Sequence, residues 1–404
     1  MINQNTKYPV VRFSEMFLEP PRNGVYKSKS YIGKGVNLIR MGDLFSNDII
    51  DSKLDSFQKI ELDKSEKDRF SLKNNDLVFS RTSVKAEGVG KCSIIRMNDE
   101  TDLAFDSNMI RVRLSPDITD PRYYYYYFQS SQGRNSIHSI AGGVAVTAIK
   151  GSDLKKINVP FPPLKIQKKL ASILSAYDDL IENNTRRIRI LEEMAQAIYR
   201  EWFIEFRLPG VKLRKTTPEE KKAIGKDVIP EGWEVVKIGD LIEKIPRRKK
   251  IKKQEYQEKG IYPVVDQGRE FIGGYTNEGA AVNDNPLPVI VFGDHTRIVK
   301  YIDFPFACGA DGTQLLYPNN KRMPITLFYY AINNIDLKDY AYSRHFKFLK
   351  EKTTILPDEF ISNEFNSIVE PIREKIRILR TQINNLRQTR DLLLPKLVSG
   401  EVEV

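Results

Sequence analysis

Apolar residues fall into two long stretches of helical period, separated by shorter runs of strand period. In the first stretch Leu170, Tyr177, Asn184, Leu191 and Ile198 recur every seven residues. Four residues after each come Leu174, Ile181, Ile188, Ala195 and Trp202. Alternating steps of four and three place these side chains on one stripe of a helix, the stripe that packs lengthwise against a second helix. Adding 195 to each number gives Phe365, Ile372, Leu379, Leu386 and Leu393, with Val369, Ile376, Ile383, Arg390 and Leu397. Nine of these ten are apolar, so the second stretch repeats the first and the chain is an internal duplication. The helices are expected to run from PFPPLKIQKKLASIL to about Trp202, and from ILPDEFISNEF to about Leu397. Asn184 is the polar member of the first seam, where a polar residue fixes register at some cost in stability or simply sits partly exposed. Pro371 is expected to bend the second helix or to mark where its straight part begins.

The repeat continues upstream. LKKINVPFPP lies over LKEKTTILPD at the same offset, with Pro162 over Pro357, each closing an extended run where a helix begins. Further back, YPVVRFSEMF from Tyr8 matches WEVVKIGDLI from Trp233 at an offset of 225. The part between this segment and the helix is therefore 30 residues shorter in the second copy. The order is globular domain, helix, globular domain, helix. In the first globular part NDLVFSR, GKCSIIRM and NMIRVRLS read as strands; in the second YPVVDQG, LPVIVFGD, RIVKYID and TQLLYP do. The runs PRYYYYYFQSS and PITLFYYAINN occupy matching places before the two long helices. Both read as short amphipathic helices whose aromatics pack in a core. The fold class is mixed α/β. The expected domains are 1–160, a central helix 161–208, a linker 209–232, a second domain 233–357, and a closing helix and tail 358–404.

A chain of 404 residues with 41% apolar content can build more than one core. A formal charge of +11 favours a polyanionic partner or, equally, a solvated basic surface. Two distant cysteines form no metal-ligand spacing and no disulfide framework, which fits a reducing compartment. With neither a signal-like start nor an apolar run long enough to span a bilayer, a cytoplasmic protein is expected. Catalytic signals are weak. GVGKCS lacks the first glycine of a phosphate loop, no Asn- or Asp-Pro-Pro-aromatic motif is present, and the three histidines are scattered. One alternative is a stand-alone metal-dependent nuclease. Pro116-Asp117 followed by Asp153-Leu154-Lys155 loosely fits a PD…D-x-K arrangement, although Asp-x-Lys is frequent in so charged a chain.

The stretch KINVPFPPLKIQKKLASILSAYDDLIENNTRRIRILEEMAQAIYREWF, the segment IPEGWEVVKIGDLI and the tail LRQTRDLLLPKLVSGEVEV resemble the specificity subunits of type I restriction–modification systems. The resemblance covers nearly the whole chain. It implies two target-recognition domains joined by two antiparallel coiled-coil helices in a pseudo-twofold arrangement, each domain reading one half of a bipartite, asymmetric sequence in double-stranded DNA. It also implies a subunit without catalytic residues, metal or cofactor. Two methyltransferase subunits would carry S-adenosylmethionine, and restriction subunits would use ATP and Mg²⁺. About 35 helical residues span roughly 50 Å, enough to set two readers one B-DNA turn of about 34 Å or slightly more apart.

Base and phosphate contacts call for Arg, Lys and small polar residues on loops. In the first domain the candidates are Arg81, Thr82, Ser83, Lys85 and Lys91 in SRTSVKAEGVGK, with Thr147 and Lys150 in AGGVAVTAIKGSDL. In the second they are His295, Thr296 and Arg297 in GDHTR, Arg269 in DQGRE, and Arg344, His345 and Lys347 in SRHFK. The run PRRKKIKK adds Arg247, Arg248, Lys249 and Lys250 as phosphate contacts.

Overall fold

The computed structural model describes residues 6–52, 57–83, 88–97, 102–141, 147–246, 248–310, 312–337 and 344–403. Two compact units divide the chain: Met1–Asn183 together with Ile383–Val404, and Asn184–Gln382. Each division point falls inside a long helix.

In the first unit Val10–Arg12 pairs antiparallel with Asn158–Pro160. A five-stranded sheet follows in the order Arg22–Asn23, Met109–Val112, Leu77–Ser80, Cys92–Arg96, Ile49–Asp51. Successive side chains of a strand face opposite sides, and here both sides are covered. Leu77 and Phe79 join one core, and Val78 joins another. The helix Pro121–Gln129 lies in the first of these cores, with Asp120 capping its N-terminus, Pro121 in its first turn and all of Tyr123 to Phe128 buried. Three of the hydroxyls find partners, Tyr126 donating to Asp178 at 2.6 Å, Tyr124 to the Pro160 carbonyl at 3.2 Å and Tyr127 lying 2.9 Å from Ser136, while that of Tyr123 is buried without one. Leu170, Ala171 and Leu174 of the first long helix and Leu394, Leu397 and Val398 of the second complete this core.

In the second unit Glu234–Lys237 pairs antiparallel with Thr353–Leu356. A four-stranded sheet runs Ile242–Glu243, Thr313–Pro318, Val289–Gly293, Val299–Ile302. Another runs Gly274–Thr276, Tyr262–Val265, Phe306–Cys308, Val282–Asn283. The helix Ile325–Asn333 packs in a core with Ala195, Tyr199, Phe203, Trp233, Phe365 and Val369.

The duplication holds at the level of register. The first long helix, Leu164–Tyr199, ends in a π turn, Arg200–Ile204; the second is Glu359–Ser399. A shift of 195 carries Leu164 onto Glu359 and Ile204 onto Ser399. Val10 faces Pro160, and Val235 faces Ile355, so the 225 and 195 offsets meet in a single strand pairing. In the second unit the helices are antiparallel. As the first advances through Asn184, Glu192 and Tyr199, its partners retreat through Gln382, Arg373 and Phe365.

Of the seam residues, Leu170, Leu174, Asn184, Phe365, Val369, Ile376, Leu379 and Ile383 are buried. Tyr177, Ile181, Ile188, Leu191, Ile198, Ile372, Leu386 and Leu393 are partly buried. Asn184 donates through Nδ2 to Gln382 at 3.4 Å. Pro371 is exposed and the helix continues through it, since its missing N–H removes one hydrogen bond on the outer face only. Trp202 lies in the π turn rather than in the α-helix. Cys92 and Cys308 are buried free thiols. Among the described residues no helix is long and apolar enough to cross a membrane.

Candidate nucleic-acid interface

In the first unit the central strand Leu77–Ser80 delivers Arg81 to its end. The chain then continues as Thr82–Ser83, which pairs antiparallel with Thr147–Ala148. The Ile149 N–H donates to the Arg81 carbonyl at 2.9 Å, so the two candidate loops of this domain form one surface. The turn beside them is built by Gly90 at φ +61°, where an added Cβ would lie 2.3 Å from Ile137. Arg134 clamps that turn, donating to the Gly90 and Val89 carbonyls at 2.9 and 3.0 Å. Lys91 points back into the unit, donating to the Phe45 carbonyl at 2.9 Å and pairing with Asp48 at 3.0 Å. Lys150 is exposed. Lys85 and Arg247 lie outside the described residues, as does the side chain of Thr147.

The second unit brings three candidate segments together. The strand Val289–Gly293 runs into buried Asp294, whose carboxylate accepts from the Phe346 N–H at 2.8 Å and whose carbonyl accepts from the His345 N–H at 2.9 Å. Thr296 donates to the Gln267 carbonyl at 2.7 Å, and the His295 N–H donates to Gln267 Oε1 at 3.0 Å. GDHTR is thus laced to both SRHFK and DQGRE. Arg269, His295, Thr296, Arg344 and Lys347 are exposed on this surface. His345 is only 5% exposed, with Nδ1 2.8 Å from the Asp294 carbonyl, so its ring anchors the segment from inside. Arg297 adopts φ +64° and donates to the Leu337 carbonyl at 3.1 Å.

Lys300, which no motif marks, holds the DQGRE loop by donating to the Asp266 and Glu270 carbonyls. Burial pushes its pKa down. A lysine in an apolar strand is its single trace in the sequence.

The basic run threads Ile251 into the fold, where its N–H donates to the Cys308 carbonyl at 3.0 Å. The flanking cations stay exposed. Arg248 approaches Asp284 at 3.9 Å, Lys249 pairs with Glu278 at 2.7 Å, and Lys250 donates to the Thr313 carbonyl at 2.8 Å.

In the nuclease-like pattern the acid of the D-x-K segment is occupied locally. Asp153 accepts from the Lys150 N–H at 3.1 Å as a local cap and lies 3.8 Å from Lys156, while Lys155 is exposed. Among the described residues no three His, Cys, Asp or Glu side chains are grouped to hold a metal ion.

Comparison with known proteins agrees with this organisation. The family model described as the type I restriction modification DNA specificity domain matches residues 3–193 and again 230–388. The type I restriction enzyme MjaIX specificity subunit of Methanocaldococcus jannaschii is 30% identical over 304 residues, covering 70% of this chain and 69% of its own. A putative type I specificity subunit of Mycoplasma genitalium is 24% identical over 325 residues, covering 78% and 80%. The crystal structure of a type I restriction–modification S subunit from M. genitalium aligns over 98% of both chains at 18% identity with a TM-score of 0.54, a likeness of fold. With the family model matched once in each half of a duplicated chain, this protein belongs to the specificity subunits of type I restriction–modification systems, a non-catalytic subunit family.

Proposed function

We propose that the chain reads a bipartite, asymmetric sequence in double-stranded DNA, each globular domain contacting one half, on behalf of methyltransferase subunits. The observation that carries this reading is the contrast within the repeat. Helix bounds and closing-strand register are kept under fixed offsets, while the loops that end the central strands differ entirely: Arg81-Thr82-Ser83 in one unit and Asp294-His295-Thr296-Arg297 in the other. A constant frame bearing unlike loops suits two readers of unlike sequences. The domain limits 1–160 and 233–357 follow from the same contrast. S-adenosylmethionine, and ATP with Mg²⁺ for restriction, would be bound by partner subunits, with the long helices as docking elements, in the cytoplasm where DNA is accessible.

The test is to express the chain with its methyltransferase partner and map methylated adenines. One split, asymmetric motif is expected. The chain alone with Mg²⁺ and duplex DNA should cleave nothing, and Asp153→Ala should leave methylation intact. Cleavage abolished by Asp153→Ala would establish the nuclease instead.

A further inference from the structure

A cleft of about 930 Å³ opens in the first unit beside the edge strand Arg22–Asn23. Its lining includes Arg22, Tyr26, Arg69, Phe70 and Lys155, three cations and no carboxylate. Of the acids flanking these residues in sequence, Glu19 accepts from Arg111 and Arg113 at 2.7 and 2.6 Å, Glu66 from Lys27 at 2.6 Å and Asp153 from the Lys150 N–H at 3.1 Å, while Asp68, next to Arg69, is exposed. Tyr26 is 88% exposed, the opposite of the buried tyrosines of this unit. It is held there by rigid backbone. The neighbouring Val25 N–H donates to the Phe105 carbonyl at 2.8 Å, and a Cβ on Gly24 would lie 2.2 Å from that oxygen. Gly151 is close-packed against Pro21, since a Cβ on it would lie 3.0 Å from the Pro21 side chain.

The second unit shows what this place in the fold carries. Its edge strand Ile242–Glu243, like Arg22–Asn23, pairs with the strand that precedes the aromatic helix. After each edge strand the chain reaches a parallel bridge, Val25 with Asp106 and Ile251 with Gly309. The basic run occupies that crossing in the second unit. The short helix Gly151–Leu154 precedes the closing strand just as His345–Glu351 does. Both walls of the cleft are thus counterparts of segments proposed to face DNA.

We propose that this cleft seats the phosphodiester backbone of duplex DNA, with Arg22, Arg69 and Lys155 on phosphates and Tyr26 reaching into the adjoining groove. The assignment rests on the DNA-reading function proposed above, and it gives Lys155 of the D-x-K pattern a binding role. The full chain should be titrated against a fluorescein-labelled mixed-sequence duplex across salt concentrations. R22Q/R69Q/K155Q should weaken binding and lower the slope of log K against log salt by about 2–3, one contact per cation. K165Q/K168Q/K169Q, which removes three exposed lysines from the first long helix, is the charge-matched control and should change the slope little. Tyr26→Ala should lower affinity and leave the slope unchanged. If the cleft triple matches the control while the wild type binds with steep salt dependence, the cleft assignment fails and DNA reading stands. If the wild type shows no salt-dependent binding, both fall.

Discussion

In the first unit the buried charge on the helix pair is an acid, and in the second it is an arginine. A shift of 195 carries Asp178 onto Arg373, so one position of the repeat holds opposite charges. Asp178, with its side chain 8% exposed, accepts from Tyr126 at 2.6 Å and from Arg390 at 2.5 Å. Arg373, 4% exposed, donates to Glu192 at 2.7 Å and lies 4.2 Å over the Tyr301 ring and 5.0 Å over that of Tyr329. The acid uses a tyrosine hydroxyl, and the arginine uses tyrosine faces. Duplication preserved the backbone register and let the charges diverge together. The outcome is directional: the first long helix supplies the acids Asp178 and Glu192, and the second supplies Arg373, Arg380 and Arg390. A first helix set against a copy of itself would lose every one of these arginines and leave its acids without these cationic partners.

The sharpest way to break this comparison is Glu192→Ala, which strands Arg373 in the core. It should cost about 3–5 kcal/mol in denaturant unfolding of the full chain. A loss no larger than that of a surface substitution would mean the pair is incidental. Asp178→Ala should cost less, about 1–3 kcal/mol, because Arg390 is 24% exposed and keeps Asp391 at 2.9 Å. Equal costs at the two sites would show that burial does not rank them. Asn184→Leu, which installs the residue type of its counterpart Leu379, should raise stability by about 1 kcal/mol. A decrease would give the Asn184–Gln382 contact a stabilising role.

The smallest effect concerns Asp303, whose carboxyl burial raises above its usual range, against the pull of Arg380 and Arg373. A raised carboxyl favours folding below its unfolded pKa, about 3.9, and that contribution is lost as pH rises through the folded value. Asp303→Asn should therefore gain on the wild type in thermal melts as pH rises above about 4. A difference flat with pH would indicate that the arginines already offset the burial.

Helix bounds, central strands and the buried tyrosine run were legible because each is written in local period or at a fixed offset. Arg390 was visible only as the exception in an apolar seam, since its partner Asp178 lies 212 residues away. Nothing local separates His345, turned inward on Asp294, from exposed His295. Pro371 suggested a bend or the start of the straight part of the helix; the helix continues through it, the exposed proline removing one hydrogen bond without ending it. Tyr26 carries no pattern at all. Its exposure follows from Gly24 and Val25 being locked to the neighbouring strand.

The most direct measurement exchanges residues 1–150 for the corresponding domain of another specificity subunit, expresses the chimera with the methyltransferase partner, and maps methylated adenines across the host DNA. One half of the recognised motif should change while the other half stays as in the parent. A chimera that altered both halves would contradict two independent readers on a shared frame.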